Sequence, residues 1–196
     1  YITIMTEYLD GSGTVVYTPS VMTGCSINFF ENVCQASIAG VLPDMATAYY
    51  KGAEQVRISL IEGWGYSLAE NANLSITLSL QDIAESEEPE YALIYPQRAC
   101  AGETVELSVI CINPARLSQE YALEFYHYSS DGTRQELLGS GSITGENPEV
   151  TVSAVMPQEY EYGSYSYYYF RVHRTDQDGW TDEYWKGESI YLSDEV

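Results

Sequence analysis

Apolar and polar residues alternate along most of this chain, the period that turns one face of a β-strand toward a core. The clearest run is Thr104-Val-Glu-Leu-Ser-Val-Ile-Cys-Ile112, where Val105, Leu107, Val109 and Cys111 share one side. Leu123, Phe125 and His127 fall together in the same way, as do Val150, Val152 and Ala154, then Tyr168, Phe170 and Val172, and finally Ile190 and Leu192. Between the runs stand Asp10-Gly11, Asp131-Gly132, Gly145-Glu-Asn-Pro148 and Asp178-Gly179, residues suited to tight turns. No stretch of about 10–12 residues keeps a 3.6-residue apolar period, so helices are expected to be negligible. The pattern predicts an all-β chain of short antiparallel strands packed as sandwiches.

The pattern also repeats. Ala36-Ser-Ile-Ala-Gly-Val-Leu-Pro43 matches Val150-Thr-Val-Ser-Ala-Val-Met-Pro157 at a spacing of 114 residues. The same spacing sets Val56-Arg57-Ile58 on Phe170-Arg171-Val172, and Ser75-Ile-Thr-Leu-Ser79 on Ser189-Ile-Tyr-Leu-Ser193. Upstream the spacing becomes 121, with Asp10-Gly11 on Asp131-Gly132 and Met22-Thr-Gly24 on Ile143-Thr-Gly145; the difference, 121 − 114 = 7, marks an insertion at the Cys25–Cys34 segment of the first copy. Blocks in one order imply two homologous modules. They are read as residues 1–85 and 86–196, joined at the stiff acidic stretch Glu85-Ser-Glu-Glu-Pro89.

In the second module seven strands are expected to open near Tyr91, Thr104, Tyr121, Arg134, Glu149, Tyr165 and Glu188, in the order A-B-C-C′-E-F-G. Met156-Pro157 followed by Tyr168-Tyr-Phe-Arg-Val172, with Gly179-Trp180 before the last strand, resembles the fibronectin type III pattern and more broadly the immunoglobulin-like class. The resemblance implies sandwiches used for spacing, adhesion or ligand display, and carries no catalytic residues. Tyr1 aligns with Ala122, so the first module is expected to carry C-C′-E-F-G and to lack the two N-terminal strands A and B. Either it is cut from a longer array, the simpler expectation, or another chain supplies the strands.

Composition narrows the setting. Acidic residues outnumber basic ones 29 to 8, for a net charge of −21 in 196 residues. Such a surface repels phosphate backbones and anionic lipid, which disfavours nucleic-acid binding and membrane docking, and no apolar run is long enough to insert in a bilayer. A lysine-poor sequence with 19 tyrosines, opening on Tyr1-Ile2 without an initiator Met, suits a piece of an exported, surface-attached protein with a protein or glycan partner.

Candidate chemistry is sparse. Of the two histidines, His127 shares the side of Phe125, which places it in the core or at its rim, and no nucleophile elbow, zinc-binding helix or phosphate loop is present, so a non-catalytic role is expected. Asp176, Asp178 and Asp182, with Glu183, gather oxygen ligands that suit Ca²⁺, although an acidic turn needs no ion and the spacing is not that of an EF-hand. Cys25 and Cys34 bracket a loop that a disulfide could close, whereas Cys100 and Cys111 sit toward opposite ends of a strand, too far apart to bridge. Neither Lys51 nor Lys186 makes a convincing partner for an isopeptide cross-link, and the Asn73-Leu74-Ser75 sequon is read as incidental.

The most informative positions are aromatic. If Phe125, Phe170 and Ile190 point inward, the opposite parity puts Tyr126, Tyr128, Tyr167, Tyr169, Arg171, Trp185 and Tyr191 on the outer face of the C-F-G sheet. The first copy places Met5, Glu7, Ala53, Gln55, Arg57, Asn71 and Thr77 at those positions, so the arginine is shared and the aromatics are not. Arg171 is therefore read as structural, stacked across its sheet, and the Tyr/Trp set as special to the second module. Two readings stand: a non-catalytic extracellular spacer or adhesion scaffold whose tyrosines are strand formers that pair across the sheet, and a carbohydrate-binding module that uses this face.

Overall fold

The computed structural model describes residues 2–19, 23–25, 42, 44–62, 67–68, 70, 74–80, 85–129, 131–158, 167–176 and 185–193. The chain is predominantly β and divides into two compact units, Tyr1–Ile83 and Ala84–Val196. Among the described residues no helix is long and apolar enough to cross a membrane.

In the first unit β1 (Ile2–Leu9) pairs antiparallel with β4 (Gln55–Ile61), and β4 with β5 (Ser75–Ser79). The other side of β1 carries β2 (Val15–Tyr17) near Tyr8 and β3 (Thr23–Cys25) near Ile4. Alternation turns Ile4, Thr6 and Tyr8 inward, and Tyr8, Tyr17, Ala48, Ala53 and Val56 form a small core. The Tyr8 and Tyr17 rings stack at 6.0 Å, and burial, with Asp44 nearby, pushes the Tyr8 phenol well above its usual range.

A helix, α1 (Met45–Tyr50), interrupts the expected all-strand pattern. Ala46, Thr47 and Ala48 are its buried side, and its end is closed by Gly52, which adopts φ 86°. Gly52 N–H donates to the Tyr49 carbonyl and Ala53 N–H to the Ala48 carbonyl, the paired bonds of a Schellman cap. Six residues are too few to show a helical period, so only the small-residue run and the glycine signalled it. The cap also corrects the placement of Ala53 on the outer face: it leaves the helix into the core and is 6% exposed.

In the second unit one sheet runs β10-β9-β12-β13-β7 and the other β11-β8-β6. Their ranges are β6 Tyr91–Ile94, β7 Arg98–Cys100, β8 Thr104–Cys111, β9 Tyr121–Tyr128, β10 Gln135–Ile143, β11 Glu149–Val155, β12 Tyr167–Arg174 and β13 Trp185–Ser193. One continuous core takes Leu93, Val105, Leu107, Val109, Val152 and Ala154 from the smaller sheet and Leu123, Phe125, Tyr168, Phe170, Val172, Ile190 and Leu192 from the larger. The alternation read from the sequence thus faces the core throughout. Two inward polar groups are satisfied there: Tyr95 Oη donates to buried Glu188 at 2.7 Å, and Lys186 Nζ to the Tyr91 carbonyl at 2.6 Å. Strand β7 has no counterpart in the expected seven. It pairs parallel with β13, setting Arg98 beside Tyr191 and Ala99 beside Leu192.

Pairing registers revise the repeat spacings. Glu7 lies opposite Arg57 and Tyr126 opposite Arg171, so with the arginines equivalent β1 and β9 differ by 126 − 7 = 119, where the sequence alignment has 121. Leu78 lies opposite Val56 and Glu188 opposite Phe170, giving 188 − 78 = 110 for the last strand in place of 114. Both slips are even, so every side chain keeps its face. By the second slip Leu80, packed on the first core, takes the place of Ile190, while Ile76 and Leu78 are 54% and 45% exposed.

Candidate functional site

The outer side of the five-stranded sheet is built as rows of side chains that cross its strands. Successive rows are about 6.6 Å apart, two residues of strand rise. In the first row Arg98 of β7 stands beside Tyr191 of β13, and Tyr191 beside Tyr167 of β12. The second holds Ser189 and Tyr169, and continuing the register of Phe170 with His127 sets Tyr169 next to Tyr128 on β9. The third runs Gly187, Arg171, Tyr126 and Leu137. The fourth sets His173 beside Glu124; Trp185 stands opposite His173 in the backbone register, and its side chain lies outside the described ones.

Neighbouring rings touch within and between rows. Tyr167 and Tyr191 meet edge to face at 5.6 Å, and Tyr167 and Tyr169 are tilted by 34° with centroids 6.4 Å apart. Tyr167 is 48% exposed and Leu137 51%, while Tyr126, Tyr128, Tyr169 and Tyr191 are half-buried. The platform is therefore a set of inclined rings with polar tips and not a flat plane.

Arg171 lies across the sheet with its guanidinium carbon 3.6 Å from the Tyr128 ring centroid, a cation–π contact. Its stem passes over Gly187, where an added Cβ would sit 3.4 Å from Arg171 Cγ. In the first unit the equivalent Arg57 instead pairs with Glu7 at 2.8 Å. One arginine thus has two uses: a carboxylate partner where the face is polar, a tyrosine where it is aromatic.

The electrostatics of the face differ from those of the chain. Besides the tyrosines and Cys100, its described strand residues carry the ionisable groups Arg98, Arg171, His173 and the single carboxylate Glu124, in a chain with 29 acidic residues. Glu124 is itself engaged, accepting from Tyr126 Oη at 2.8 Å and lying 3.7 Å from His173 Nδ1. That hydrogen bond raises the Tyr126 phenol above its usual range. Arg98 is exposed, its guanidinium carbon 5.4 Å from the Tyr191 ring, and no carboxylate pairs with it among the described residues. Arg98 and Leu137 had no signal in the alternation; only the parallel pairing of β7 and the bulge in β10 bring them to this face.

The other candidates fare differently. Asp176 is held by Arg174 through Nη2 at 2.6 Å and Nε at 3.0 Å, and Asp178 and Asp182 lie outside the described residues. Among the described residues no group of three or more His, Cys, Asp or Glu side chains could hold a metal. Cys34 lies outside them too, and the Cys25–Cys34 pairing with it. Cys100 and Cys111 are free thiols, and burial pushes Cys111 up. His127 stacks on Tyr168 with centroids 4.2 Å apart at the core rim.

No family model matches the chain, and no curated protein does. Solved structures give weak likenesses. A superoxide reductase (neelaredoxin) from Ignicoccus hospitalis is 14% identical with a TM-score of 0.37, over 53% of this chain and 80% of that one. A β-glucosidase from Listeria innocua in complex with glucose is 13% identical with a TM-score of 0.31, over 53% of this chain and 16% of that one. At these TM-scores the likenesses carry no argument about activity.

Proposed function

We propose that the chain is a non-catalytic pair of immunoglobulin-like, fibronectin type III-like sandwich modules from an extracellular surface protein. In this reading it is an adhesion scaffold whose second module binds carbohydrate through its outer aromatic face. The sandwich reading is supported by the order of strands in the second unit: β11-β8-β6 corresponds to E-B-A, and β10-β9-β12-β13 to C′-C-F-G. The first unit repeats the second order, with β2 and β3 followed by β1, β4 and β5.

One observation carries the binding role. Tyr126, Tyr128, Tyr167 and Tyr169 share a face with Tyr191, and by the pairing registers the first unit, on the same strand framework, has Glu7, Leu9, Ala53 and Gln55 in place of those four. A fold that requires aromatics there would have them twice. Rigid amphipathic rings give contact area at low entropic cost and offer hydroxyls to sugar oxygens at their rims. Affinity electrophoresis of the whole chain in gels that contain soluble polysaccharides tests this. Retardation by a polysaccharide is expected, and Tyr167→Ala with Tyr169→Ala is expected to abolish it with a melting temperature no more than about 10 °C below the parent. Absence of retardation across neutral and acidic polysaccharides, or a large melting loss in the double variant, contradicts the reading and leaves the rings as packing residues of a spacer.

A further inference from the structure

We infer that the carbohydrate taken by this face is an acidic one, a uronate-bearing polysaccharide whose sugar rings lie on Tyr167 and Tyr191 and whose carboxylate is held by Arg98. The inference rests on the carbohydrate-binding reading above and concerns the class of ligand. Three features of the face point to it. Arg98 is an exposed guanidinium without a carboxylate partner among the described residues, in a chain where acids exceed bases by 21. It is not displaced to a loop: the parallel register of β7 on β13 fixes it at the end of the Tyr191–Tyr167 row, over the Tyr191 ring. And the described carboxylate on the outer side of these strands is Glu124, which sits three rows away and is bound to Tyr126, while Glu136 and Glu188 pair with the inward His127 and Phe170.

A guanidinium offers two parallel N–H donors that match a carboxylate, so an anionic group beside a stacked ring meets both halves of the row at once. The rest of the row leaves such an anion uncontested, because Tyr167 and Tyr191 donate through hydroxyls and Ser189 in the next row is neutral. Arg171 lies two rows along β12 and two strands across from Arg98, roughly 13 Å by about 10 Å, so a second uronate further along the polymer meets a second cation. The chain's overall negative charge does not forbid this. At about 0.15 M salt the Debye length is ~8 Å, so an anion on the platform responds to the arginines nearest it more than to distant acids.

The test is affinity electrophoresis of the 196-residue chain at about 0.15 M salt in gels with polygalacturonate, alginate, fully methyl-esterified polygalacturonate or polyglutamate. Expected is retention by at least one of the two uronate polymers, at least ~10-fold stronger for polygalacturonate than for its ester if that polymer is the one retained. Arg98→Ala is expected to keep the parent's melting temperature and to erase the preference for free carboxylate, while Tyr167→Ala with Tyr191→Ala loses retention altogether. Retention by the ester or another neutral polysaccharide equal to that by the uronates overturns the acidic assignment and leaves carbohydrate binding standing. Retention by polyglutamate as strong as by the uronates overturns it in favour of a peptide or a purely ionic contact. No retention by any polysaccharide removes the carbohydrate reading and this inference with it.

Discussion

Tyr167 and Tyr168 are the same residue type at adjacent positions of β12, yet 48% and 4% of their surface is exposed. Truncating each in turn measures the inside and outside of the sheet with chemistry held constant. Tyr168→Ala removes a ring that is packed in the core and stacked on His127 at 4.2 Å. Large aromatic deletions of this kind cost about 3–5 kcal/mol, the lost transfer energy plus the cavity left behind. Tyr167→Ala removes one edge-to-face partner, Tyr191 at 5.6 Å, and one tilted partner, Tyr169. Such exposed pairs contribute about 0.5–1.5 kcal/mol. For a unit of this size one kcal/mol moves the midpoint by roughly 4 °C, so the expected falls are about 12–20 °C for Tyr168→Ala and about 2–6 °C for Tyr167→Ala. Scanning calorimetry of the whole chain reads both. Equal falls, or the larger fall at Tyr167, would refute the assignment of faces on which the binding site depends.

Three further outcomes follow from local contacts. The Asp131 carboxyl accepts from Ser129 Oγ and from Thr133 N–H and Oγ1, which lower its pKa to about 2, so its stabilising contribution is present above its ordinary value and is lost as pH falls through that midpoint; carboxyl NMR titration is expected to show Asp131 near 2 and Asp10 also below the usual range, and ordinary midpoints would contradict those turn geometries. Alkylation by iodoacetamide at pH 8 is expected to modify half-exposed Cys100 well before buried Cys111, whose thiol burial pushes up; peptide mass spectrometry follows it, and equal rates would be inconsistent with the burial of β8. Gly52→Ala is expected to destabilise the first unit by about 1–2 kcal/mol, because nothing crowds the new Cβ but φ 86° strains it; an unchanged urea midpoint would show that the Schellman cap is not formed.

Much of this architecture was legible because half-buried strands write their faces into the sequence. Val105, Leu107 and Val109, or Tyr168, Phe170 and Val172, alternate so strictly that their side of the sheet follows without coordinates. Pairing register is written more weakly. The even slips that moved β1 by two and β5 by four residues preserve every face, so hydrophobic alternation cannot distinguish them from the spacings of the sequence repeat. Short elements were the hardest. Helix α1 is less than two turns long, and β7 is three residues held by its parallel partner and not by any pattern of its own. For the candidate site this means the tyrosines were visible from parity alone, whereas Arg98 was not.

Tyrosine resonances offer the most direct view of the binding face. In the whole chain with labelled tyrosine side chains, titration with an oligosaccharide of the retaining polymer is expected to shift Tyr167, Tyr169 and Tyr191 and to leave the core rings of Tyr8 and Tyr168 unmoved. Shifts confined to other tyrosines, or none at saturating sugar, would contradict a carbohydrate site on the outer sheet of the second unit.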